Sequence, residues 1–222
     1  QFAFSAGAIA GSYSRVKEHA SVSGGQGPLA ASFYGSYDST QGYRENNDYR
    51  AKDVGGKIVY DVAQFLSLNM TGSYHEDDYG LPGPLTKDQL SVNRRTSLDP
   101  LDKAETEDGY VKLGSDVFFG NWGNLVTDFS YRSRDSKSDF PDPLFPYVID
   151  SQIETYGFTP RYVHKGDFMG HKNNLITGVD FFCIDQDLKT YSGVLSSSTT
   201  LNGLADISRD SYGIYVNDDF SV

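Results

Sequence analysis

The chain has little sulfur, a shortage of positive charge and no long apolar run. Cys183 is the single cysteine among 222 residues, which excludes an intramolecular disulfide and any cysteine-based metal cluster. It lies in the apolar run from Val179 to Ile184 and is expected to act there as a small buried or lipid-facing hydrophobe. Lys and Arg number 19 against 30 Asp and Glu, a formal net charge of −11, and without clustered cations nucleic acid is not expected as a partner. No stretch reaches the ~18 to 20 apolar residues of a transmembrane helix. Nor does a 3.6-residue period persist anywhere long enough to define a helix. His19, His75, His164 and His171 show neither i, i+4 nor H-x-H spacing, so no metal site is expected. EF-hand spacing, phosphate-binding loops and nucleophile elbows are absent. The expectation is therefore a protein with no resident cofactor and no catalytic residues, not an enzyme. An initiator Met and a charged-then-apolar leader are also missing, from which the chain is expected to begin inside a processed or truncated protein.

Aromatic residues and glycine are plentiful. Sixteen Tyr, fourteen Phe and 23 Gly point to β structure punctuated by turns. A hydrophobic fraction of 38% and a mean hydropathy of −0.47 are low for a domain with one central core and suit a sheet with one wet face. From Phe65 the side chains alternate strictly: Leu66, Leu68, Met70, Gly72 and Tyr74 form one row, and Ser67, Asn69, Thr71, Ser73 and His75 the other. Lys57 to Asp61 alternates likewise, and the few residues around Ala63 to Phe65 make a tight hairpin between the two runs. The same alternation places Ala31, Phe33, Gly35 and Tyr37 opposite Ser32, Tyr34, Ser36 and Asp38. It also places Leu125, Phe129 and Tyr131 opposite Asp128, Ser130, Arg132 and Arg134.

About ten strands follow from this reading. They are residues 1–11, with ambiguous facing, then 15–23, 29–38, the hairpin pair, 110–119, 124–135, 153–164, 174–189 and 207–222. Pro160 removes one ladder hydrogen bond, so a bulge or local irregularity is expected there. Connections alternate in length. Tight turns such as Gly120 to Gly123 face long polar segments at 39–52, roughly 77–107 and 136–152, and the middle one, about thirty residues long, is of a size that signals function or disorder. The run His75 to Asp78, with its three carboxylates, is expected to be the solvated base of that loop rather than a catalytic pair.

Amphipathic strands of about ten to twelve residues with short turns at one rim and long loops at the other are the pattern of a transmembrane β-barrel. Phe65 and Trp122 near the short turns, and Tyr37, Tyr74 and Tyr131 toward the long loops, stand where aromatic girdles belong. A soluble or surface-attached β-sandwich that binds carbohydrate through loop aromatics is the alternative; its inward face would hold fewer Arg, Lys and Asp. An outer-membrane hydrolase using the loop carboxylates is a third reading.

The segments ASVSGGQGPLAASFYGSY, GYRENNDYRAKDVGGKIVYD, LSLNMTGSYHEDDYGLPGPLT and RDSYGIYVNDDFSV resemble the first part of the barrel of TonB-dependent outer-membrane receptors. The resemblance covers nearly the whole chain. It implies an all-β, antiparallel up-and-down meander, residues 1–222 being part of a barrel of roughly 22 strands closed by a plug domain. Plug, TonB box and the remaining strands are absent, so the chain is expected to be a fragment unable to close or transport by itself. The function implied is binding of a scarce solute, most often a ferric siderophore, and its import with TonB-derived energy through the missing plug, in the outer membrane of a Gram-negative bacterium. Membrane lipid and lipopolysaccharide are the surrounding partners.

For ligand binding, loop positions Tyr43, Arg44, Tyr79, Arg94, Arg95 and Tyr147, with Tyr49, Arg50 and Phe145 beside them, combine aromatic faces with guanidinium forks suited to an anionic, partly aromatic ligand. The same arginines could instead pair with nearby carboxylates or with lipopolysaccharide phosphates. Inward Arg132, Arg134 and Arg161 are expected to line the lumen or to balance Asp116, Asp128 and Asp180 across adjacent strands.

Overall fold

The computed structural model describes residues 2–168, 171–194 and 198–220. Ten strands form one antiparallel sheet in sequence order. They are β1 (Phe2–Gly11), β2 (Arg15–Gln26), β3 (Leu29–Thr40), β4 (Tyr49–Ala63), β5 (Leu66–Gly80), β6 (Lys103–Phe118), β7 (Asn124–Phe140), β8 (Tyr147–Phe168), β9 (His171–Val194) and β10 (Ser198–Phe220). A short helix, α1 (Lys87–Val92), interrupts the β5–β6 connection. No second sheet covers either face among the described residues, so the two-sheet core that a carbohydrate-binding sandwich requires is not formed. Among the described residues the buried hydrophobic ones are correspondingly few, namely Ala51, Ala104 and Val148, while Met70, Leu113, Phe129 and Ile214 are all exposed.

Register assigns every side chain to a face, because residues directly opposite in an antiparallel ladder point the same way. Tyr74 opposes Val54 and Gly109, Met70 opposes Ile58 and Leu113, and Leu113 opposes Phe129, which opposes Phe158. One face is therefore a continuous apolar surface. The ambiguous first strand joins it, since Phe4 opposes Val22 and Ala6 opposes Ala20. The opposite face carries Asp53, His75, Asp108, Lys112, Asp128, Arg132 and Arg134.

The upper tyrosines of the apolar face do not share one row. Tyr212 lies level with Phe129, Tyr131 stands two residues higher, and Tyr131 is level with Gly72. Tyr74 is again two residues higher and level with Gly35, and Tyr37 two higher still. Six residues at ~3.4 Å are gained over seven strand spacings of ~4.8 Å, which is a slope of about 30°. Barrel strands tilt by roughly 35 to 45°, so a line of tyrosines at one membrane height should climb the register in this way. From Leu66 to Tyr74 the apolar row is about 27 Å long along the strand, or roughly 19 to 22 Å in height at a tilt of about 35 to 45°, which fills most of the ~25 Å band of such barrels.

Several strands outrun their expected ends. β5 continues through Glu76 and Asp78 to Gly80, and β6 begins at Lys103, so the long connection is 81–102. Charged residues sustain these extensions because both faces are wet above the apolar band and cross-strand ion pairs replace apolar contact: Arg50 meets Asp78 at 3.2 Å and Lys52 meets Glu76 at 3.2 Å. The run from His75 to Asp78 is therefore strand rather than loop base, and alternation sends Glu76 and Asp78 to one face, His75 and Asp77 to the other. Likewise β7 and β8 absorb most of 136–152, leaving a connection of 141–146, and β9 and β10 absorb much of 190–205. Met169, Gly170, residues 195–197 and residues 221 and 222, which belong to other expected connections and the end of the last strand, lie outside the described residues. At Pro160 the ladder to β7 is unbroken. On the β9 side it is interrupted between Phe158 and Arg161, without a shift of register.

Tight turns close the lower rim. Phe119, Gly120 to Trp122 and Gly123 connect β6 to β7, and Gly123 has φ 101°, with an added Cβ only 2.2 Å from the Val163 carbonyl oxygen. At the opposite rim stand the connections 12–14, 41–48, 81–102 and 141–146.

Candidate ligand-facing loop platform

Three of the upper-rim connections are joined into one body by side chains that donate to carbonyl groups of their neighbours. Arg44 spans the 81–102 loop: Nη1 donates to Gly83 O at 2.6 Å, Nη2 to Pro82 O and Thr96 O at 2.9 Å each, and Nε to Thr96 O at 3.2 Å. Its guanidinium is thus used to hold the loop rather than left facing solvent. Asn46 Nδ2 closes the loop neck, reaching Asp99 O at 2.6 Å, Asp102 O at 2.8 Å and Leu81 O at 3.3 Å. Backbone bonds complete the seam, with Leu81 N donating to Asp102 O at 2.9 Å and Glu45 N to Arg95 O at 2.7 Å. The 41–48 segment turns sharply enough to do this because Gly42 takes φ 74° against Asn47, where a Cβ would stand 1.9 Å from a carbonyl oxygen.

α1 was not expected from the hydrophobic period, and its signal is a cap. Thr86 Oγ1 accepts from Gln89 N at 3.3 Å, and Gln89 Oε1 accepts from Thr86 N at 2.8 Å. This reciprocal box is readable as Thr-x-x-Gln.

Arg95 is held differently. Its Nε donates to Tyr43 O at 3.0 Å, and its guanidinium carbon lies 5.8 Å from the Tyr13 ring centre and 5.9 Å from that of Tyr43. The two rings meet edge to face at 5.6 Å. Tyr13 is a member that sequence reading missed, since it occupies the three-residue turn between β1 and β2. The turn takes φ 60° at Tyr13 and 54° at Ser14, and Tyr13 O accepts from Gln41 N at 2.8 Å and Thr40 Oγ1 at 3.1 Å. Only its adjacency to the 41–48 loop in the folded sheet reveals it. Arg94, next in chain, is exposed. The structure therefore brings together Tyr13, Tyr43, Arg44, Arg94 and Arg95.

The other expected positions lie apart. Tyr79 opposes Tyr49 and Ala104 within the sheet and is half-buried. Tyr147 stacks on Phe140 at 4.5 Å at the foot of the 141–146 loop. In that loop Asp142 Oδ1 accepts from Leu144 N at 2.7 Å and Phe145 N at 2.8 Å, and these amides hold its carboxyl below the usual range. Phe145 is exposed there. At the neck, burial first and then the nearby Asp99, Asp139 and Asp142 push the Asp102 carboxyl above its ordinary pKa of 3.8.

On the polar face, Arg132 pairs with Asp108 through Nε at 2.8 Å and Nη2 at 2.5 Å, with Arg134 Nε at 4.0 Å from the same carboxylate. The expected partner Asp128 is instead met by Lys112 at 3.2 Å, and Asp116 by Asn124 Nδ2 at 2.7 Å. Arg161, opposite Val126 and Gly178, forms no ion pair among the described residues. His75 sits between Asp53 at 2.7 Å and Asp77 at 3.2 Å, and Ser36 Oγ donates to Asp53 at 2.9 Å. Among the described residues no group of three or more His, Cys, Asp or Glu side chains is arranged to hold a metal.

No family model matches the sequence, and no curated protein matches it either. Solved structures do. The ferric citrate transporter FecA in its unliganded form superposes with a TM-score of 0.86 at 16% identity, covering 100% of this chain and 35% of that one. The chain has the fold of a TonB-dependent receptor barrel. The pyoverdine outer membrane receptor FpvA from Pseudomonas aeruginosa PAO1, bound to pyoverdine, gives 0.83 at 13% identity, over 98% of this chain and 38% of FpvA. The alcaligin outer membrane receptor FauA from Bordetella pertussis gives 0.73 at 15%, over 100% of this chain and 34% of FauA. The chain thus spans little more than a third of each of these receptors, and its sheet is an arc of such a barrel with β1 and β10 as its two edges. In transmembrane β-barrels generally, short turns form the periplasmic rim and the longer loops the extracellular one.

Proposed function

We propose that the chain is part of a Gram-negative outer-membrane receptor that captures a ferric siderophore or a similar scarce solute and imports it with energy delivered by TonB. On this reading residues 1–222 belong to the barrel domain, and the plug and the remaining strands lie in parts of the protein outside this chain. The observation that carries the reading is the union of the barrel arc with a preorganised external platform whose Arg95 is flanked by Tyr13 and Tyr43. A guanidinium held by ring contacts and one backbone bond loses little freedom on meeting a ligand, and its remaining N–H groups suit carboxylate or other anionic oxygens. Arg94 and Tyr43 would add charge and a stacking surface. Arg44 serves indirectly by fixing the loop. Arg132, Arg134 and Arg161 line the lumen in this reading, Arg132 paired with Asp108 and Arg134 4.0 Å from the same carboxylate, which offsets only part of their charge.

Growth of a strain lacking the full-length gene, under iron limitation with a panel of ferric siderophores, tests the proposal. Loss of growth on one siderophore, restored by the intact gene and weakened at least tenfold in affinity by Arg95→Gln, is expected. Retention of every uptake activity would overturn the iron-siderophore assignment.

A further inference from the structure

The extracellular ends of β4 to β7 form a cleft of about 830 Å³ on the outer wall of the sheet, the side that carries the apolar band. Its floor is made by residues in the rows of Arg50, Asp78, Glu105 and Lys137 and, one step higher, Lys103 and Asp139. Pro100 and Leu101 of the clamped loop also line it. Two features of this floor are unresolved by the protein itself. Asp139 is only 7% exposed, and its Oδ1 is buried with no hydrogen-bond partner. A buried carboxylate oxygen left without a donor is unfavourable, and a donor supplied from outside relieves it. Lys103, directly opposite Asp139, and Lys137, two residues along the same face, form no ion pair among the described residues, whereas Arg50 is engaged by Asp78 at 3.2 Å.

One unmet acceptor between two unengaged ammonium groups is complementary to a ligand that joins a primary ammonium to a phosphate. We infer that this cleft binds a phosphoethanolamine group carried by a glycolipid of the outer leaflet, the ammonium donating to Asp139 and the phosphate accepting from Lys103 and Lys137. Height selects the carrier. On β7, Lys137 and Asp139 stand six and eight residues above Tyr131, about 20 to 27 Å along the strand and roughly 14 to 22 Å in height at a tilt of about 35 to 45°, which is beyond the headgroup zone of a glycerophospholipid and within reach of an extended saccharide headgroup. The outward direction of the cleft separates it from the lumen and from Arg95. The inference rests on the outer-membrane reading above and adds to it a specific contact with the surrounding lipid.

Calorimetric titration of the purified full-length receptor with soluble probes tests the chemistry apart from transport. O-phosphoethanolamine is expected to bind at least tenfold more tightly than inorganic phosphate, ethanolamine or phosphocholine. Asp139→Asn, isosteric at the buried position, should reduce phosphoethanolamine to the affinity of phosphate. Lys137→Gln should weaken phosphoethanolamine and phosphate alike, and because Lys137 is part-exposed this variant provides a test even should Asp139→Asn misfold. Lipopolysaccharide bearing phosphoethanolamine should copurify with the intact receptor in at least fivefold excess over lipopolysaccharide lacking it. Equal affinity for phosphate and phosphoethanolamine, an undiminished preference in Asp139→Asn, or complete displacement by calcium alone would overturn the inference. Siderophore uptake should be unchanged in Asp139→Asn, so a failure of the transport reading leaves the titration result standing, and the reverse also holds.

Discussion

Replacing Arg44 by Met should detach the long external loop while leaving the sheet intact. The guanidinium makes four donor contacts to three carbonyl oxygens, those of Pro82, Gly83 and Thr96. A hydrogen bond to a charged group contributes about 1.5 to 3 kcal/mol, and water replaces part of this where carbonyls become accessible. The set should therefore contribute roughly 3 kcal/mol to closure of the loop, equivalent to about a 100-fold shift between closed and open forms. Hydrogen–deuterium exchange on the membrane-embedded full-length protein reads this directly. The amides of Leu98, which donates to Pro82 O at 3.2 Å, and of Glu45 should exchange about 100-fold faster, while those within β5 below Tyr74 stay unchanged. Arg44→Lys should recover only a small part of the protection, because a single ammonium cannot span three carbonyls in the geometry of the planar fork. Unchanged protection at Leu98 and Glu45 in Arg44→Met would refute the claim that Arg44 organises the platform.

Other consequences are equally accessible. Met70→Arg, on the apolar face near mid-band, should destabilise the barrel by about 2 to 4 kcal/mol in vesicle unfolding, whereas Asn69→Arg on the polar face should cost far less; equal costs would invert the facing assigned by register. Thr86→Ala should remove about 1 kcal/mol from α1, detectable as faster exchange at Leu90, whose amide donates to Thr86 O at 3.0 Å. The Asp102 carboxyl, raised above 3.8 by burial and by Asp99, Asp139 and Asp142, binds its proton more readily in the folded neck than in the unfolded chain. Stability of the neck should thus fall as pH rises from 3.8 through the raised value and stay low above it. Asp102→Asn should flatten that dependence and increase protection of Leu81 at neutral pH; a dependence that persists in the variant would assign it to another group.

Much of the sheet could be read from the chain because alternation is a property of a single strand. Leu66, Leu68, Met70 and Tyr74 must share a face whatever lies beside them, and one wet side with one apolar side already specifies an amphipathic sheet. Strand ends were harder to place, since above the apolar band both faces are wet and the contrast that marks a strand disappears. Glu76, Asp78 and Glu105 look like loop residues until their opposite rows, Lys52 and Arg50 among them, are known.

The stagger of Tyr212, Tyr131, Tyr74 and Tyr37 belongs to the same class of information: each tyrosine is visible in the sequence, but the climb that matches the barrel tilt exists only in the register between strands. At the external platform, Tyr43, Arg44 and Arg95 could be named by type, yet their division of labour could not. Arg44 is turned inward to three carbonyls and Arg95 is set against Tyr13 and Tyr43, contacts spanning 38 to 82 positions of chain whose geometry depends on the folded sheet bringing three connections to one rim. The sequence by itself determined an amphipathic, turn-rich sheet and the chemical types gathered at its long-loop rim, because those follow from local periodicity. Only the tertiary structure decided which of those groups are tied to backbone and which remain available, because that depends on long-range register and on the satisfaction of each polar group.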